Sequence, residues 1–110
     1  MFIKPERLNL LIHDIEITPY LKHGVTGPMY GESCIVDGRI EPSTEKLTDT
    51  DGREFVSRAF LILKAGERPT LQSKIRWRVK GTEQWSGPYL LKIIEPIFDF
   101  VENHVEGYLI

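Results

Sequence analysis

A chain of 110 residues, 41% hydrophobic and 27% charged, fits one globular domain that can build a core without metals or disulfides. Its formal charge of -2 gives no global attraction toward nucleic acid or an anionic membrane, so any such contact has to be local. Cys34 is the only cysteine, which excludes an intrachain disulfide and a cysteine-based zinc site and points to a reducing, intracellular compartment.

Met1 to Arg7 lack the apolar core of a signal peptide. No window approaches the roughly 18 apolar residues that a membrane helix requires. The expectation is a protein in solution or in a soluble assembly, with no membrane partner.

Residues 8–18 read as the first strand region, because Ile12, Ile15 and Ile17 mostly alternate with polar His13, Asp14 and Glu16. Pro19 ends it, since proline cannot donate to a ladder. Residues 20–32 read as a long loop, with Gly24, Gly27, Pro28 and Gly31 leaving no periodic stretch. A strand follows over residues 33–41, with Gly38 a bulge or close-approach point and Pro42 a corner. Asp49-Thr50-Asp51-Gly52 between strand-like runs signals a hairpin, because glycine takes the positive φ of the turn.

Residues 54–64 read as one continuous strand. Phe55, Ala59, Leu61 and Leu63 lie on one face and Val56, Phe60 and Ile62 on the other. In residues 74–80, Ile75, Trp77 and Val79 alternate with Lys74, Arg76, Arg78 and Lys80, which predicts three apolar side chains inward and four cations outward. Residues 85–88 read as a break and residues 89–94 as an apolar strand stopped by Pro96. Residues 97–102 fit either a strand or a helical turn, and Phe98 and Phe100 there either form an exposed apolar patch, the mark of an interface, or fill the open end of the barrel. Residues 104–110 form a terminal strand docked in a sheet. The expected fold is all-β: one domain over residues 1–110, a small barrel of about six or seven short, mostly antiparallel strands, closed because closure removes exposed edges.

Few residues point to chemistry. His13, His23 and His104 match no metal-ligand spacing and read as scattered solvated side chains. Cys34, in a strand beside Ile35 and Val36, reads as a small hydrophobe rather than a nucleophile. Twelve positions from Asp49 falls Phe60, not the glutamate a calcium loop requires. Asp14 and Glu16 share one strand face, as on any exposed face. The expectation is no enzyme, no cofactor and no metal. The basic stripe Lys74, Arg76, Arg78 and Lys80 has three readings. It is a solvated face or charge-protected edge; a subunit contact with Glu83, Glu95, Asp99 and Glu102 of a neighbouring copy; or a track for a phosphate backbone with Trp85 or Tyr89 stacking on bases.

From about Tyr30 onward the chain resembles the head–tail joining proteins of long-tailed bacteriophages and related prophages, the stopper or head-completion proteins. The resemblance rests on Tyr30-Gly31 at a loop end, the strand ending Gly38-Arg39-Ile40-Glu41-Pro42, the Asp49-Thr50-Asp51-Gly52 hairpin with its continuation 54–61, and the closing His104-Val105-Glu106-Gly107-Tyr108-Leu109. It implies a structural protein of the virion neck, assembled in the host cytoplasm as a ring on the portal and its adaptor. Such a ring closes the DNA-filled head, touches packaged DNA transiently and receives the tail, while the free protein can be monomeric. On that reading Lys22-His23-Gly24-Val25-Thr26-Gly27-Pro28-Met29-Tyr30-Gly31 form a gate or docking loop, with glycines for movement. Glu45, Lys46, Asp49, Asp51, Gly52 and Arg53 form an interface hairpin toward a neighbouring subunit or the adaptor. Two alternatives share the composition: an OB-like nucleic-acid-binding barrel using the basic stripe, and a tail-terminator-type connector.

Overall fold

The computed structural model describes residues 11–99 and 101–110; the expectations for residues 1–10 and Phe100 lie outside that set. Among the described residues ten strands run in chain order: β1 (His13–Thr18), β2 (Tyr20–Gly24), β3 (Gly27–Tyr30), β4 (Cys34–Pro42), β5 (Lys46–Thr48), β6 (Glu54–Val56), β7 (Ala59–Lys64), β8 (Lys74–Val79), β9 (Ser86–Asp99) and β10 (Val101–Leu109). Six of them close a barrel in the order β1-β4-β7-β10-β9-β8, every neighbour antiparallel. The remaining strands pair as two separate hairpins, β2–β3 and β5–β6. The expected all-β barrel is the fold.

The core follows from alternation. Ile15 and Ile17 of β1, Leu61 and Leu63 of β7, Ile75 of β8, Leu91 of β9, and Val105 and Leu109 of β10 are buried inside. Each such aliphatic side chain contributes roughly 2 kcal/mol by leaving water. Gly38 is a close-approach point, as expected, but not a bulge: it keeps register with both His13 and Leu63. A Cβ there would lie 2.5 Å from the Ile15 side chain and 2.9 Å from the Ile62 carbonyl oxygen.

Four expectations about elements are corrected. Residues 20–32 are not an irregular loop, because Tyr20↔Tyr30, Lys22↔Met29, His23↔Pro28 and Gly24↔Gly27 pair as a hairpin. Residues 54–64 are two strands, divided at Ser57-Arg58, where the chain changes partner. The Ser57 N–H goes to the Glu45 carbonyl and the Arg58 N–H to the Leu109 carbonyl. Pro96 does not end β9; beyond Leu91 that strand is paired only with β10 among the described residues, so a residue lacking an N–H is tolerated at the open edge. The 85–88 break shrinks to an irregularity: Trp85 precedes the strand, β9 starts at Ser86, and its register with β8 shifts between Tyr89 and Ser86, where Gly87 takes φ +96°. Residues 97–102 settle as strand, apart from the undescribed Phe100.

Val79 is also corrected: it is half-exposed rather than inward. Pairing between β8 and β9 stops at Trp77↔Ser86, so among the described strands Val79 is paired with β1 alone.

Candidate functional site

The basic stripe is central, not an edge, since β8 lies between β1 and β9. Register sets its chemistry. Arg76 stands opposite Glu16 and Arg78 opposite Asp14, all on the outer face of the barrel. The Arg76 guanidinium donates twice to the Glu16 carboxylate, at 2.7 and 3.1 Å. Arg78 Nε donates to Asp14 at 3.0 Å, and Lys80 Nζ to the other Asp14 oxygen at 2.9 Å. Lys80 continues to Asp37 on β4, which also accepts from Lys64 on β7 at 3.0 Å. Arg78, Asp14, Lys80, Asp37 and Lys64 thus form one network across β8, β1, β4 and β7, with the Arg76–Glu16 pair beside it.

Its electrostatics are self-consistent. The Lys80 ammonium first, then the Arg78 guanidinium, holds the Asp14 carboxyl below its ordinary value; Lys80 first, then Lys64, does the same for Asp37. The same contacts raise Lys80, and hydrogen bonding to Glu16 raises Arg76. From the β8–β9 turn, Trp85 lies over the Arg76 and Arg78 guanidinium groups, at 5.0 and 4.5 Å from the ring centroid. Lys74 is turned toward the Tyr30 ring, 4.4 Å from its centroid. Tyr89 packs edge-on to Trp77 at 4.9 Å and lies under Arg58. The two aromatic groups considered for base stacking are therefore already covered by arginines. As for a subunit contact through this stripe, its arginines already hold carboxylates of their own barrel, and the Asp99 and Glu102 side chains lie outside the described set.

The gate or docking residues fall on β2–β3. This hairpin is braced at its base: Ser73 Oγ accepts from the Tyr20 N–H at 3.1 Å, and Thr70 Oγ1 donates to the Tyr20 carbonyl at 2.8 Å. The Gly31 N–H donates to the Pro19 carbonyl, and Tyr20 and Tyr30 pack edge-to-face at 5.9 Å. Gly27 takes φ +129° at the turn, so its glycine serves local geometry. Beyond the base, Leu21, Val25 and Met29 stand exposed, Val25 completely.

The interface hairpin lies on β5–β6. Asp49 Oδ1 accepts from the N–H groups of Asp51 and Arg53, both at 2.9 Å, and Gly52 takes φ +80°. Lys46 pairs with Glu54 across the strands at 3.0 Å, both exposed. Glu45 and Ser43 close the base around the buried Ser57 hydroxyl. Burial first, and Glu45 second, raises the Tyr108 hydroxyl above its ordinary value.

The histidines are not uniformly solvated. His104 is 3% exposed, its ring nitrogens hydrogen-bonded to Asn103 Oδ1 and Glu106 Oε2 at 2.9 and 2.8 Å. His13 Nδ1 accepts from the Ile40 N–H, and burial, then Arg39, lowers its pKa. His23 is exposed on β2, away from both. Cys34 is exposed at the start of β4, where the pairing with β1 ends at Ile17, and is not packed inside. Among the described residues no group of three His, Cys, Asp or Glu side chains could hold a metal ion, and no helix is long and apolar enough to cross a membrane.

The acidic half of the network is what residue reading missed. Its signal was the alternation Asp14, Glu16 on one face of β1, uninformative until β1 is known to adjoin β8. No protein-family model, no curated protein and no solved structure matches the chain.

Proposed function

We propose that this protein is a structural component of a phage neck, forming a ring on the portal and adaptor that closes the filled head and offers the tail its attachment surface. The observation that carries the assembly part of this reading is a closed, ion-paired barrel from which two base-braced hairpins emerge. Rigid projections of this kind suit docking, since little conformational entropy is lost when a braced element binds. The phage assignment itself comes from the resemblance in the order Tyr30-Gly31, Gly38 to Pro42, Asp49 to Gly52 and the terminal strand. Hairpin β2–β3 serves as the docking or gate element and β5–β6 as the contact toward subunit or adaptor.

The OB-like nucleic-acid reading is weaker, because three of the four cations it needs, Arg76, Arg78 and Lys80, hold Glu16, Asp14 and Asp37. A phosphate backbone would have to displace those carboxylates as well as counterions.

The test is direct. Mixed with portal–adaptor connectors, the protein is expected to add as a ring visible in negative-stain images. Connectors that stay bare at saturating protein would overturn the reading. Salt-dependent binding to single-stranded DNA in an anisotropy titration, without connector binding, would favour the nucleic-acid barrel instead.

A further inference from the structure

The tip of β5–β6 overhangs the open edge of β9, leaving a groove of about 300 Å³. Leu71, Ile93 and Ile94 add apolar atoms to its lining, Leu71 and Ile94 also packing against the core, and Asp49, whose Oδ1 caps its own turn, and Glu95 add carboxylates with no cation among the lining residues. The β2–β3 hairpin has the opposite character. Leu21, Val25 and Met29 are exposed on it, at 61%, 107% and 46%, and Lys22 and His23 lie between them. Residues 20–31 contain no carboxylate. Neither Lys22 nor Glu95 makes an ion pair among the described residues.

An arm with an apolar tip and a cation, and an apolar groove with two anions, are complementary pieces on one chain. The arm does not satisfy its own groove: its base is pinned to Thr70 and Ser73, and Val25 remains fully in solvent. With five residues in β2, the arm reaches roughly 16 Å at the usual rise of about 3.3 Å per residue.

We infer that the β2–β3 arm of one copy inserts its apolar tip into the groove between β5–β6 and β9 of a second copy, with Lys22 set against Asp49 and Glu95. The inference rests on the self-assembling reading proposed above and names its contact. Burial of the apolar side chains supplies affinity, and the charge match sets register and excludes like-charged mispairing. Because Thr70 braces the arm while Leu71 lines the groove, both halves of the contact depend on one loop. The contact can close reciprocally between two copies or run on around a ring.

Two variants, Lys22→Glu and Glu95→Lys, test it in the full chain by sedimentation velocity at low salt, free and in the presence of connectors. Wild-type protein is expected to self-associate, and each variant alone to associate about tenfold more weakly or worse, because Lys22→Glu sets acid against two acids and Glu95→Lys cancels the charge that Asp49 leaves in the groove. An equimolar mixture of the two variants should associate again, since the Lys22 arm of the Glu95→Lys variant then meets the intact Asp49 and Glu95 groove of the Lys22→Glu variant. In a Cys34→Ser background, Val25→Cys with Ile93→Cys should form disulfides between copies on oxidation. If wild-type protein associates and both variants associate equally well, the contact lies elsewhere and this inference falls while self-assembly stands. If wild-type protein never associates, even on connectors, both fall. Wild-type association that stops at two copies, even on connectors, upholds the contact and overturns the ring.

Discussion

Both hairpins leave the barrel between paired strands, β2–β3 between β1 and β4 and β5–β6 between β4 and β7, yet they are held in different ways. Hairpin β5–β6 is locally encoded. Asp49 caps its own turn, Gly52 supplies the positive φ, and the ends meet at Ser57, twelve residues from Glu45. Hairpin β2–β3 has no self-capping side chain in its turn among the described hydrogen bonds. Its base is held by Thr70 and Ser73, 50 and 53 residues away. One hairpin is a property of its own segment; the other depends on the finished barrel. The second is also the one whose tip is left apolar and exposed.

The comparison breaks most completely if the shared wall fails. Gly38→Ala would place a methyl 2.5 Å from Ile15 and 2.9 Å from a backbone oxygen, in the strand from which both hairpins spring. Overpacking of this sort is expected to lower unfolding free energy by about 3 kcal/mol. Urea denaturation would measure it, and an unchanged midpoint would mean that the wall yields freely at this position.

The two bases can then be separated. Ser57→Ala and Ser73→Ala each remove a buried hydroxyl and leave backbone partners unpaired, at about 1–3 kcal/mol. Their local signatures should differ. Ser73→Ala is expected to speed hydrogen exchange at Tyr20 and through β2–β3 while sparing β5–β6, and Ser57→Ala to do the reverse. Equal effects on both hairpins from either variant would erase the distinction.

The smallest effect sharpens the barrel's role as the common anchor. Asp14 and Asp37 have folded-state pKa values below their unfolded ones, so their contribution is complete above the unfolded value of about 3.9 and is lost as pH falls through the lowered folded value. Thermal melts between pH 6 and pH 2 should therefore show an acid decline that Asp14→Asn flattens, with both hairpins lost together. A decline of the same steepness in the variant would place its origin outside this network. Lowered pKa at His13 acts in the same direction at higher pH: the unfolded chain gains a proton below about 6.5 before the folded one does.

Much of the barrel was legible because period-2 alternation needs no knowledge of partners. Ile15 and Ile17, Leu61 and Leu63, and Ile75 all lie inward, as their spacing implied. The Asp49 to Gly52 turn was legible for the same reason, since its hydrogen bonds close within four residues. Turn residues misled where their partners were distant. Gly24, Gly27, Pro28 and Gly31 suggested a loop, and the pairing Gly24↔Gly27 with its far-off brace made a hairpin. Cys34 looked like a core residue from its neighbours in sequence and is exposed by its place at a barrel rim.

The basic stripe shows the division most plainly. Sequence alone determined that Lys74, Arg76, Arg78 and Lys80 alternate with apolar side chains on one strand. Only the tertiary structure decided what the cations face. Arg76 meets Glu16 and Arg78 meets Asp14 across 60 and 64 residues of chain, and Lys80 joins Asp14 to Asp37. A local alternation fixes which way a side chain points, because that depends on backbone geometry alone. Which partner waits there depends on strand order and register, which are set by closing the barrel around its core.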